Sequence, residues 1–183
     1  RQMCIRDSTG GGLFRYDEKA DSFVTYPPLG KNNAPYTMCQ DQSGNYWIGT
    51  WGEGLWQFFP KKEGEECYKR HHIINSRSGE TEPIFYSMTQ DNTFGYLWLL
   101  SYNELYALQY TEEGTLVSVD IHDLVDTHMM YTKIMKDREG NLWLGSYDMA
   151  YTIFFDNSKI DNYPLPQLKK HMGWDANLSL IHI

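Results

Sequence analysis

Cysteine, alanine, leucine, long apolar runs and blocks of positive charge are all scarce in this 183-residue chain. Three cysteines do not make a disulfide framework, and they leave the redox compartment unread. No apolar stretch approaches the roughly 18 residues needed to span a bilayer as a helix. The formal net charge is −8, and no run of Lys or Arg interrupts it. Such a chain offers neither nucleic acid nor an anionic lipid surface an attractive field. It also lacks a G-x-S-x-G elbow, a Walker loop and a G-x-G-x-x-G turn, so no cofactor is expected. What it has in excess is aromatics, 15% of residues with 14 Tyr and 6 Trp. Many aromatics with little Ala or Leu favour strands over helices.

The two ends stand apart from the rest. Met3–Ser8, MCIRDS, can be written ATG TGT ATA AGA GAC AG. The reverse complement reads CTG TCT CTT ATA CAC AT, which encodes LSLIHI, residues 178–183, with one base of the last codon open. The pair resembles a translated transposase adapter of the kind used in sequencing libraries. Residues 1–8 and 178–183 are therefore set aside, as any processing scar would be. Cys4, His182 and the sequon at Asn177 go with them. Removing Arg1, Arg6 and Asp7 moves the net charge from −8 to about −9 and leaves Cys39 and Cys67. The native stretch, 9–177, is expected to be a fragment cut at both ends.

Within that stretch the chain repeats itself. Asp41-Gln-Ser-Gly-Asn-Tyr-Trp47-Ile-Gly49-Thr returns as Asp137-Arg-Glu-Gly-Asn-Leu-Trp143-Leu-Gly145-Ser. Between them lies a degenerate copy with one residue inserted, Asp91-Asn-Thr-Phe-Gly-Tyr-Leu-Trp98-Leu-Leu-Ser. A partial unit, GGGLFRYDEKADSFVTY, comes first, with Leu13 matching Leu55. Each unit reads as four short strands. In the second they are YTMCQ (36–40), YWIGT (46–50), LWQFF (55–59) and a polar strand near 66–72, joined by turns at 42–45 and 52–54. Five-residue strands with tight Gly/Asn turns form an antiparallel meander. A meander of about 45 residues, repeated, is a β-propeller blade.

The expected fold is therefore all-β: a propeller segment of about three and a half blades, roughly 9–35, 36–84, 85–130 and 131–177. That is fewer than a closed propeller's usual 4–8 blades, so an open arc of a larger ring is expected. In this scheme Gly44 and Asn45 supply positive φ, and Asp41 accepts turn N–H groups. Trp47, Trp98 and Trp143 fill the space between blades, and Gly49 and Gly145 allow a close approach.

The pattern D-x-x-G-N-x-W-[IL]-G-[TS]-x-x-G-G-L-x-x-[FY] resembles the two-component regulator propeller repeat. The resemblance runs over nearly all of 10–163 and is strongest at Asp41–Leu55. The segment 163–174 is similar to an inter-blade stretch of such sensors. That family occurs in the periplasmic sensor regions of hybrid two-component systems, especially of gut Bacteroidetes, where propellers detect glycan breakdown products. The resemblance implies the periplasmic part of an inner-membrane sensor histidine kinase, itself non-catalytic, with a small carbohydrate ligand. Kinase, membrane span and any homodimer would belong to the full-length protein. Two other readings stand beside it: a propeller lyase or glycosidase acting on polysaccharide, and a protein-interaction propeller.

Comparing the copies marks candidate ligand residues. The residue four past each motif Trp is aromatic every time: Trp51, Tyr102 and Tyr147. The innermost strands start with Tyr36, Tyr86 and Tyr131, at the same end of the blade. A mouth lined by such rings would stack against the C–H faces of sugars, with Asn32, Asn33 and Arg77 as polar partners. The plainer reading is that Tyr is abundant and packs under loops. Metal constellations are weaker. Cys67, His71 and His72 sit on a strand that turns adjacent side chains to opposite faces and is expected to be solvated. His122, Asp123, Asp126 and His128 lack zinc spacing, and 156–162 lacks a calcium-loop pattern. No metal is assigned. Acids for glycoside chemistry, such as Glu53, Glu104 and Asp148, meet only in three dimensions.

Overall fold

The computed structural model describes residues 13–31, 34–91, 94–102, 104–121, 130–146 and 150–153. The adapter-like ends, residues 156–162 and 163–174, and the His122–His128 set lie outside them. The chain divides into two compact units, Arg1–Tyr86 and Ser87–Ile183. Among the described residues no helix is long and apolar enough to cross a membrane.

In the first unit, β1 (Phe14–Asp17) and β2 (Ser22–Thr25) form an antiparallel pair. β3 (Pro35–Gln40), β4 (Tyr46–Thr50), β5 (Leu55–Phe58) and β6 (Tyr68–His71) follow as one meander in the order β3-β4-β5-β6. A short 3-10 turn, Gly64–Cys67, leads into β6. The second unit repeats the plan. β7 (Ser87–Gln90), β8 (Leu97–Leu100), β9 (Leu105–Tyr110) and β10 (Leu116–Val119) make a second four-stranded meander. β11 (Tyr131–Lys136), β12 (Leu142–Ser146) and β13 (Ala150–Ile153) make a three-stranded one. The blade pattern expected from the repeat is what the backbone adopts.

The first unit's core lies where the β1–β2 pair meets the β3–β6 sheet. Leu13, Leu29, Ile48, Phe58 and Cys67 are buried there, with Tyr26, Met38, Tyr46, Trp56 and Tyr68 packed against them. Each fully buried Leu, Ile or Phe contributes about 1.5–3 kcal/mol. In the second unit every residue of β8 is buried, as are Leu105–Leu108 of β9. A strand buried on both faces needs a run of apolar side chains rather than alternation, and LWLL supplies it. Ser87, fully buried, joins this sheet to the next: its hydroxyl donates to the Ile134 carbonyl (3.3 Å) and accepts the Ile134 N–H (3.1 Å). Lys136 Nζ donates to the Gln90 carbonyl at 2.8 Å.

The motif aspartates explain the turns. Asp41 Oδ1 accepts the N–H groups of Ser43 and Asn45, both at 2.9 Å. Asp137 Oδ1 accepts those of Glu139 and Asn141. Asp91, fully buried, takes Phe94 and Gly95 on Oδ1 and Tyr96 on Oδ2. The second oxygen does something that spacing alone did not show. Asp91 Oδ2 accepts the Trp98 indole N–H at 2.9 Å, and Asp137 Oδ2 accepts that of Trp143 at 2.8 Å. Turn and ring are thus held by one carboxylate. Trp47 and Trp98 are buried as expected, whereas Trp143 is only half-buried.

Two details of the turn differ from expectation. Gly44, Gly95 and Gly140 carry positive φ (83°, 73° and 96°), but Asn45 does not. The asparagine position serves by hydrogen bonding instead, since Asn141 Nδ2 donates to Asp137 Oδ2 at 3.0 Å. At Gly145 the motif glycine after the Trp is not forced by crowding either. A Cβ on Gly145 would sit 3.6 Å from Thr132 Oγ1, an ordinary contact, and the matching position in the second copy is the buried Leu100. Gly49 and Gly145 instead lie opposite register shifts in β3 and β11, at Pro35/Thr37 and Tyr131/Lys133.

Replacing Asp91 with Ala removes the acceptor of four donors, three part-buried N–H groups and the buried Trp98 indole, and should cost about 3 kcal/mol in urea unfolding. A loss below about 1 kcal/mol would contradict the role given to it. Asp137 is held below the usual carboxylate range, chiefly by the Trp143 indole N–H, with burial opposing and the Asn141 and Glu139 donors adding. Its folded-state value is depressed, so its contribution is present above the unfolded value and lost as pH falls through the folded one. Trp143→Phe removes the main donor and should move the Asp137 titration upward, read by carboxyl NMR.

Candidate ligand surface at the Thr50–Gly54 turn

The connection from β4 to β5 carries the most promising of the sequence candidates. Thr50 caps it: its hydroxyl donates to the Gly54 carbonyl (2.8 Å) and accepts the Glu53 N–H (3.0 Å). Gly52 and Gly54 have φ of 113° and 78°, which a side chain would strain. Both of their N–H groups donate to a single acceptor, the Pro83 carbonyl, at 2.9 and 2.8 Å. A Cβ on Gly54 would also come within 3.2 Å of the Glu82 carbonyl. The turn is therefore pressed against the 73–86 segment, which follows β6.

That segment is itself built. Ile74 and Thr81 bridge, and Asn75 Oδ1 accepts the Arg77 and Ser78 N–H groups at 3.0 Å. Buried Asn75 donates to buried Glu82 at 3.0 Å. The Trp51 N–H donates to the Ala34 carbonyl at 3.2 Å, and Trp51 bridges Ile84. The backbone of Trp51 is held from both sides, while its side chain points out.

The ring of Trp51 meets that of Tyr36, centroids 5.4 Å apart and planes tilted by 45°. Both remain open to solvent, at 43% and 47% exposure. A tilted pair of this kind is a favourable aromatic contact in itself. Tyr36 reaches the surface because the register shifts between Pro35 and Thr37, so it stands out between a half-buried and a buried neighbour.

The other expected residues divide. Tyr102 occupies the matching turn of the second unit and is 51% exposed. Tyr86 is half-buried, and Arg77 is exposed at the tip of the 74–81 hairpin. Tyr131 is 2% exposed and does not belong to an open surface. The cause is one residue of register. Tyr131 pairs with Ser146 as Pro35 pairs with Thr50, so the counterpart of Tyr36 is the exposed Thr132. Asn32, Asn33 and Tyr147 lie outside the described residues. Glu53 and Glu104, unplaced by sequence, are both buried in these turns.

β6 corrects another expectation. Cys67 and His71 are buried rather than solvated, and His72 is exposed, so the two histidines face opposite ways. His71 packs on Trp47 (5.1 Å between centroids) and lies 3.4 Å from Gln57 Oε1. Burial, then the Lys69 and His72 charges, push its pKa down to about 4. The unfolded chain therefore binds more protons between about pH 6.5 and 4, and stability present above 6.5 is lost across that window. Roughly 2–3 kcal/mol is at stake. His71→Phe should flatten the pH dependence of unfolding between 6.5 and 4, measured by urea titration at fixed pH.

Comparison with known proteins follows the same lines. The model of the two-component regulator propeller matches residues 29–52 and 126–148. No curated protein sequence matches the chain. Among solved structures, the extracellular domain of a hybrid two-component system from B. thetaiotaomicron superposes with a TM-score of 0.56 at 21% identity, over 86% of this chain and 20% of its own. PorZ, a surface component of the type-IX secretion system of Porphyromonas gingivalis, gives 0.61 at 17%, over 85% and 25%. Virginiamycin B lyase from Staphylococcus aureus gives 0.55 at 14%, over 85% and 53%. The chain thus spans a quarter or less of the first two. At these identities the likeness is one of fold. Residues 29–52 and 126–148 match the two-component regulator propeller repeat, and the chain is a β-propeller segment by its fold.

Proposed function

We propose that this propeller segment is a ligand-sensing, non-catalytic part of the periplasmic region of a hybrid two-component sensor histidine kinase, and that its ligand is an oligosaccharide. The observation that carries the reading is the Tyr36–Trp51 pair. It is exposed, held by a turn clamped from two sides, and lies inside the first matched repeat, 29–52. A flat sugar face desolvates well on such rings, and equatorial hydroxyls at its edge remain free for polar groups such as Arg77. Tyr102 presents a second ring by the same turn in the other unit. The fold likeness to an extracellular domain of a hybrid two-component system supports the sensor assignment.

A second reading, an enzyme built on the propeller, is favoured by one observation: a lyase, named for virginiamycin B rather than for a polysaccharide, shares the fold. It requires turnover, whereas the sensor reading requires binding alone. The test is calorimetric titration of the complete sensor region with a panel of plant and host oligosaccharides. An oligosaccharide should bind without being cleaved, and Trp51→Ala should weaken it about tenfold or more, equivalent to 1.4 kcal/mol. Unchanged affinity in Trp51→Ala would reject the site, and product formation by the wild type would favour the enzyme. A kinase domain in the same reading frame of the flanking DNA is expected on the sensor reading, and a stop codon soon after residue 177 would sink it.

A further inference from the structure

We infer that Glu53 and Glu104 are positioning residues that fix the exposed aromatics Trp51 and Tyr102, an inference that deepens the ligand-surface reading and rests on it for its functional meaning. The pattern is in the sequence twice: Thr50-Trp51-Gly52-Glu53 and Ser101-Tyr102-Asn103-Glu104, a hydroxyl, an exposed aromatic, a spacer and an acid. In both turns the acid's N–H donates to the hydroxyl three residues back, at 3.0 Å for Glu53 and 3.1 Å for Glu104. Ser101 completes the second turn as Thr50 does the first, with its N–H and its hydroxyl both directed at the Glu104 carbonyl. In both the glutamate is buried, at 8% and 7% exposure, while the aromatic two residues earlier stands at 43% and 51%. An acid buried beside an exposed indole or phenol inverts the usual preference. The inversion calls for a reason specific to the turn.

For Glu53 the contacts give the reason. Oε1 accepts the Lys31 N–H at 3.2 Å, from the segment that leads toward β3. Oε2 lies 3.4 Å from Arg70 Nη1 on β6. The carboxylate rests on Gly30, where an added Cβ would come within 2.9 Å of it and where φ is +65°. The Glu53 carbonyl accepts the Trp56 indole N–H at 3.1 Å, and Arg70 covers the Trp56 ring at 5.6 Å. One residue thus ties the turn to the segment before β3 and to the outer strand. The Arg70 side chain is 38% exposed, so the ion pair itself contributes little. Its use is geometric. A five-residue turn with two positive-φ glycines has many conformers, and the glutamate removes the freedom they bring. Preorganisation of this kind leaves less ordering to be done when a ligand docks on the ring. Glu53 is thereby assigned to holding its turn, and Glu104 shares the position by the same burial and the same N–H bond.

The experiment reads Trp51 directly and needs no ligand. The complete sensor region is labelled with 5-fluorotryptophan, and the Trp51 resonance is assigned by its loss in Trp51→Phe. In the wild type it should be a single line. Glu53→Ala should shift, split or broaden that line while the Trp47 and Trp98 lines stay in place. Glu53→Gln, which keeps an acceptor for the Lys31 N–H, should restore most of the wild-type line. An unmoved Trp51 line in Glu53→Ala overturns the proposal. Should Glu53→Ala disturb every tryptophan line, Arg70→Gln is read instead, and an unmoved Trp51 line there overturns it equally. With an oligosaccharide that binds, Glu53→Ala should weaken affinity about three- to tenfold, less than Trp51→Ala. A moved Trp51 line with no oligosaccharide bound by the wild type would leave the positioning intact and remove the carbohydrate reading alone.

Discussion

A carboxylate at each turn between a blade's first two strands is what the rest of the described structure hangs on. Its backbone-facing oxygen collects two turn N–H groups, and in the second and third copies its other oxygen holds the indole N–H of the motif tryptophan. In those two copies the bond gives the indole N–H an acceptor as the ring packs inward. The turn could form without it, but not with its strands fixed against the ring. Because one side chain does both, turn conformation and blade packing are coupled. That coupling explains why Asp, Gly and Trp recur together at fixed spacing rather than separately.

At the opposite end of the blade the chain obeys different constraints. The Thr50–Gly54 turn is not closed by its own residues alone. It borrows the Pro83 carbonyl from the segment after β6 and the Ala34 carbonyl from the segment before β3. Such a turn can be varied in length and still be held, since part of its support is external. The second copy shows this: Ser101–Glu104 is one residue shorter and lacks a counterpart of Gly54, yet Leu105 pairs with Leu100 as Leu55 pairs with Gly49. In the first copy one end of the blade is therefore fixed by internal chemistry, and the other in part by what is laid over it. Binding residues belong on the second kind of end, where a rigid scaffold presents adaptable loops.

What was legible in the sequence was the local part. The Asp turn, the buried Trp47 and Trp98 and the outward Trp51 follow from spacing within ten residues, and the four-strand unit follows from the repetition of that spacing. The Asp–Trp hydrogen bond was missed even though both residues were marked, because six or seven residues of separation say nothing about which atoms meet. His71 was read as a solvated outer-strand residue, yet the Trp47 ring and Gln57 enclose it. Glu53 was legible only as an acid without a partner. Its partners, Lys31 and Arg70, come from 22 residues upstream and from a strand beyond a loop, and no periodicity links them.

The misplacement of Tyr131 changes the shape of the functional idea. Counting back from the motif aspartates, Tyr36 and Tyr86 stand five residues before Asp41 and Asp91, but Tyr131 stands six before Asp137. In a strand one residue of offset exchanges the two faces, and a bulge decides which residue is turned out. The third copy turns out Thr132, and its Tyr131 is packed inside. The third copy also lacks the acid that follows the turn aromatic, having Met149 where the first two have Glu53 and Glu104. Both losses fall in the same copy. An even ring of aromatics, one set per blade, is therefore not what these strands build. The first copy alone combines, among the described residues, an outward Tyr, an outward Trp and a braced turn, so any surface centred there is local to one blade rather than repeated around several.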